Sequence, residues 1–110
     1  FKQKEITNMA TIINITDKIK NEEKFIVWNS KNYKVDDRKN TILQAYAILN
    51  DQEMGIETID KVMALIIGAD AVKDFEDLSY QDYLVPFFAA MACVQNKTYE
   101  EIEATFRNAQ

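Results

Sequence analysis

The chain has no histidine, one cysteine, one proline and two glycines among 110 residues, and each scarcity excludes something. Without histidine there is neither the commonest general base nor the commonest metal ligand. Cys93 has no second cysteine to pair with in these residues, so the sequence points to a reducing compartment and a fold without an internal disulfide. So few glycines and prolines argue for long helices and few tight turns. Neither Gly55 nor Gly68 has the neighbours of a phosphate-binding loop. A long apolar run is missing too: YLVPFFAAMACV, residues 83–94, is twelve residues, whereas a membrane span needs about 20. The start, FKQKEITNMATIINI, lacks a continuous apolar segment and a small-residue cleavage site, so no secretory leader is expected.

What is present describes one acidic globular domain. Hydrophobic residues make up 47% and charged residues 28%, the balance of a chain that buries a core rather than a disordered one. The net charge of -5 speaks against a nucleic-acid surface, which requires a basic stripe. Charge is unevenly placed: residues 1–40 carry nine Lys and Arg against six Asp and Glu, whereas residues 41–110 carry four against twelve. An acidic body with a mildly basic leading part would steer a basic partner surface toward itself. Met9-Ala10-Thr11 reads as a natural start, so residues 1–8 read as an artificial leader or a disordered arm; residues 1–11 are set apart as an N-terminal arm or artificial leader, and residues 12–110 as the single domain.

Periodicity supplies the elements. IINITDKIKNEE, residues 12–23, fits a short helix or an extended arm equally well. KFIVW and YKV flank Asn29-Ser30-Lys31-Asn32, two strand-like runs around turn formers and hence a β-hairpin whose asparagines take the left-handed conformation. Asp36-Asp37 closes it and is placed to cap the helix that follows. Ile42, Leu43, Tyr46 and Leu49 then recur at helical spacing over 38–50, and Ile56, Ile59, Met63 and Ile66 over a second helix that ends at Gly68 as a left-handed cap. Val72 and Phe75 lie on a short acidic helix. Ser79 has the spacing of an N-cap for a fourth helix, and Thr98-Tyr99-Glu100-Glu101 that of a capping box for a fifth. The expected fold is mainly α with a small N-terminal β-hairpin, an α+β chain in which four to five helices form a compact bundle. The fourth helix is apolar nearly all round and therefore central; Pro86, past its first turn, removes one helical hydrogen bond and bends it.

Catalytic chemistry finds little to stand on. Cys93 has nothing basic near it in sequence and reads as a core thiol rather than a nucleophile. Asp70, Asp74, Asp77 and Asp82 fail as a calcium loop, because Val72 stands where a ligand should be and no glycine makes the turn. Asp77-Leu78-Ser79 has the residues of an acyl-carrier attachment site in the wrong order, and an N-cap explains the serine. The acidic pairs at 36–37 and 100–101 sit at helix starts, where they suit the dipole. No catalytic residue, metal ligand or cofactor site is assigned, and an enzyme would need a hidden site of converging carboxylates.

The order of elements carries a resemblance. A short arm, the hairpin KFIVWNSKNYKVDD, then helices beginning RKNTILQAYAILND, ETIDKVMALIIG and DAVKDFEDLSYQDYLVPFFAAMACVQN, and a terminal acidic helix resemble the small tail assembly chaperones of long-tailed phages infecting Gram-positive bacteria, over residues 9–110. The resemblance implies a non-enzymatic protein of the bacterial host cytoplasm. Such a protein binds the long, helical, apolar tape-measure protein and keeps it soluble until tail-tube subunits polymerise around it. It also implies self-association, contact with the tail-tube protein, and a longer frameshifted form in some members. On this reading Ile59, Met63 and Ile66 of the second helix and Phe87, Phe88 and Met91 of the fourth would line the client groove, methionine tolerating imperfect fit. The plainer account makes the same residues core. The competing functional reading is a small acidic adaptor or regulator that binds one folded protein through Trp28 and Tyr33 of the hairpin; the plainer account of that pair is packing on the helices.

Overall fold

The computed structural model describes residues 10–108; most of the arm set apart at 1–11 lies outside them. The chain runs as a 3-10 turn at Thr16–Lys18, β1 (Lys24–Trp28), β2 (Lys31–Val35), α1 (Lys39–Asp51), α2 (Ile56–Ile67), α3 (Ala69–Val72) continuing as a 3-10 turn at Lys73–Phe75, α4 (Tyr80–Gln95) and α5 (Tyr99–Asn108). This is the expected mainly helical α+β chain led by a hairpin. None of its described helices is long and apolar enough to cross a membrane.

β1 and β2 pair antiparallel with Ile26 opposite Tyr33 and Trp28 opposite Lys31. The turn is tighter than the four residues expected. Asn29 and Ser30 alone make it, with φ of 51° and 63°, the double left-handed geometry whose twist matches that of the flanking strands. Serine, not the second asparagine, takes the second left-handed position, and Lys31 and Asn32 join β2. Upstream, residues 10–23 are exposed throughout; their short 3-10 turn starts where Asn14 Oδ1 accepts the Thr16 N–H at 3.0 Å.

The helix ends follow local side-chain chemistry. Ser79 Oγ accepts the Asp82 N–H at 3.2 Å and opens α4. Thr98 and Glu101 close a reciprocal box at 2.9 and 3.1 Å, which opens α5. Gly68 ends α2 at φ 96° but with ψ 147°, an extended glycine conformation rather than the left-handed helical one; its N–H still donates to the Ala64 carbonyl at 3.1 Å. Asp36 does not cap α1 as its position suggested. Arg38 occupies the N-cap position without a side-chain bond, while Asp36 accepts from the Arg38 guanidinium at 2.9 Å and from the Thr41 hydroxyl at 2.9 Å.

That last bond has a consequence for α1. With Thr41 drawn inward, the buried positions are Thr41 and Ala45, with Ile48 half-buried behind them. The expected inward stripe is thereby turned: Ile42 and Leu49 flank the buried line, while Leu43 and Tyr46 face solvent.

α4 is the spine. Eight of its sixteen residues are buried, Pro86 among them, and the helix runs on through that proline to an Asn96 cap at φ 55°. Its aromatic half packs Phe88 edge-on against Phe106 at 5.1 Å and Tyr99 at 5.9 Å. On the other side Phe75 stacks on Trp28 at 5.0 Å and meets Tyr33 at 5.1 Å and Tyr83 at 6.5 Å, which joins the hairpin to the helical core. α2 contributes Ile59, Val62, Met63 and Ile66, each exposed by 1% or less; a side chain buried so completely stabilises by about 1.5–3 kcal/mol.

Truncating the centre of this cluster is expected to be costly. Phe88→Ala should lower unfolding stability by about 3–5 kcal/mol, read as a fall in the urea midpoint with little change in slope.

Candidate interaction surface

The residues expected to line a client groove are not on the surface. Ile59, Met63, Ile66, Phe87, Phe88 and Met91 are all buried, the first two with no exposure at all. They interlock at the junction of α2 and α4, so the expected open groove between those helices is instead the core. Tyr33 is buried as well, its hydroxyl donating to Asp74 at 2.9 Å. Trp28, half-buried, lies stacked on Phe75. The hairpin pair therefore packs inward, as the plainer account had it, and offers no open patch of its own.

Exposed apolar side chains lie elsewhere, in groups on α1, on β1 and in the leading segment, besides Met54 just ahead of α2, Ile56 at its start, and Tyr80 and Val85 on α4. On α1, Leu43 (58% exposed), Tyr46 and Ala47 point outward at i, i+3 and i+4, so this helix carries apolar residues on both its buried and its solvent sides. On β1, Phe25 and Val27 face outward between inward-turned Ile26 and Trp28. In the leading segment, Ile12, Ile13, Ile15 and Ile19 are all more than half exposed. The strand residues were legible from period-two alternation. Val85 (49% exposed) follows the same logic at helical spacing, standing one turn beyond exposed Gln81 on the least buried line of α4.

Between β1 and the outer side of α4 lies a groove of about 350 Å³, with Val27 and Trp28 of β1 and Val85 and Pro86 of α4 in its walls and Leu78 and Tyr99 also lining it. A larger hollow of about 540 Å³ lies where the hairpin meets the end of α2, bounded by Asp36, Asp37, Arg38 and Gly68; the ion pair between Asp36 and Arg38 at 2.9 Å is part of its wall.

The ionisable groups act as ties between elements. Lys24 donates to the Cys93 carbonyl at 2.9 Å and pairs with Asp37 at 3.2 Å, fastening β1 to the end of α4. Lys31 meets Asp74 at 2.6 Å, holding the hairpin tip to the 3-10 turn. The Arg38 guanidinium holds the Asp36 carboxyl well below the usual carboxylate range, helped by the Thr41 hydroxyl. Burial pushes the Cys93 thiol up, away from the thiolate a nucleophile requires. Burial likewise raises the Tyr83 phenol, with the Asp60 carboxylate acting in the same direction, although no hydrogen bond of ordinary geometry reaches that hydroxyl. Among the described residues no group of three or more Cys, Asp or Glu side chains is placed to hold a metal ion.

Against protein-family models, curated proteins and solved structures, the chain has no significant match.

The Asp36 cluster carries a pH signature. A carboxyl whose pKa is lowered by folding contributes stability that is present above its unfolded value, near 3.9, and is lost as pH falls below it. Asp36→Asn should therefore lower the urea midpoint at neutral pH and flatten its decline in the acid range. Equal acid sensitivity in the variant and the parent would place the linkage on other carboxylates.

Proposed function

We propose that the chain is a non-enzymatic assembly chaperone whose client is a long amphipathic helix of the tape-measure type, held on the outer face of α1. The observation that carries this reading is the doubled character of α1: Thr41 and Ala45 fix its inner side to the core, while Leu43, Tyr46 and Ala47 repeat at helical spacing on its outer side. A stripe of that spacing is what a second helix packs against, ridges into grooves. The acidic charge of residues 41–110 keeps such a surface soluble and favours a client with basic residues flanking its apolar stripe. The order of arm, hairpin and helices supports the same reading. The client surface differs from the one expected from sequence, because the α2 and α4 side chains are spent on the core. The adaptor reading loses its proposed patch for the same reason, since Trp28 and Tyr33 pack on Phe75.

Co-expression with the tape-measure protein encoded in the same genome provides the test. The parent chain should hold that protein in the soluble fraction and co-purify with it. Leu43→Glu combined with Tyr46→Glu should abolish co-purification while changing stability by no more than about 0.5 kcal/mol per site, as exposed positions do. Met63→Glu should unfold the chain. A doubly substituted α1 that still retains the client would refute the assignment of this face.

A further inference from the structure

β1 is paired on one edge by β2 and on the other by no strand among the described residues. The groove of about 350 Å³ borders β1 and α4 and takes no residue from β2, so it lies along that free edge. An unpaired edge offers a row of backbone donors and acceptors to any extended segment that reaches it. The facing helix adds one more acceptor: Pro86 has no N–H to give to the Asp82 carbonyl, and both residues line the groove. The walls are otherwise apolar. The site thus suits a short extended segment with bulky aliphatic side chains and a free backbone.

The chain itself contains such a segment. Residues 11–15, Thr-Ile-Ile-Asn-Ile, are β-branched at every position but one, the composition of a strand. Yet they lie in no sheet, and Ile12, Ile13 and Ile15 are 86%, 74% and 53% exposed. The nine steps from Ile15 to Lys24 span up to about 30 Å when extended, enough to leave the body of one molecule and reach another. In its own molecule the segment covers nothing, every residue from 10 to 23 being exposed. Lys18 and Lys20 follow the isoleucines, and Asp82 stands at the groove to meet them.

We propose that residues 11–15 of one molecule add as a strand to the free edge of β1 in a second copy, reciprocally, to form a two-fold arm-exchanged dimer. Ile13 and Ile15, two apart and so on one face of the added strand, enter the groove against Trp28 and Val85. Both arms and both edges are satisfied at once, and the isologous symmetry closes the assembly at two. The inference does not depend on the client reading, which concerns α1.

Light scattering and sedimentation of the full chain over a concentration series provide the test, with two variants on surface positions and unfolding midpoints as the check on folding. The parent should be a dimer. Ile13→Asp with Ile15→Asp in the arm, and separately Val85→Lys in the groove, should each raise the dimer dissociation constant by about tenfold or more. In a Cys93→Ala background, a chain carrying Ile13→Cys mixed with one carrying Val85→Cys should form a disulfide between the two chains. A parent that stays monomeric at every concentration would overturn the proposal. So would a dimer indifferent to both variants, or a chain carrying both new cysteines that links only within itself.

Discussion

Everything in this small protein follows from the need to cover α4. A sixteen-residue helix with eight buried side chains needs cover over most of its circumference, and α2, α5 and the hairpin supply it, leaving the line of Gln81 and Val85 open. α2 closes one side with a line of aliphatic residues, α5 brings Phe106 and Tyr99 to Phe88, and the hairpin is drawn onto the remaining side through Phe75. Even the charges serve this enclosure, since Lys24 reaches the carbonyl at the end of the helix and Lys31 ties down the hairpin tip.

The same constraint determines what is left for function. Apolar side chains that would make a groove in a looser bundle are consumed here in one core, so surface available to a partner has to come from residues with no role in covering α4. Those include the outer face of α1, the outer face and free edge of β1, and the isoleucines ahead of the hairpin. Two of these surfaces have different chemistry. α1 presents a helical stripe, suited to another helix, whereas β1 presents a backbone edge, suited to an extended strand.

Much of the fold was legible because its signals are local. Ser79 and the box at 98–101 mark helix starts by hydrogen bonds that span three residues, and KFIVW announces a strand by its β-branched and aromatic content. The uncharged stretch at 83–94 was readable as the spine for the same reason. What escaped was set by contacts distant in sequence or by backbone detail. The rotation of α1 follows from the bond between Thr41 and Asp36, which ranks a threonine above Leu43 for burial. The turn contracted onto Asn29 and Ser30 because strand twist outweighs the preference of asparagine for left-handed geometry. The candidate surface was the least legible part: hydrophobicity along a chain says which residues seek cover, and only the assembled neighbours determine which of them find it.

Amide hydrogen exchange of the free protein, followed through low concentrations of denaturant, tests the enclosure of α4 most directly. If α2 and α4 form one closed core, amides at 59–66 and 84–94 should exchange only through global unfolding, with the free energy and denaturant slope of the whole molecule. Exchange of those amides through a local opening, well below the global free energy and insensitive to denaturant, would mean that the two helices part in the native state. The groove between them would then be a working surface after all.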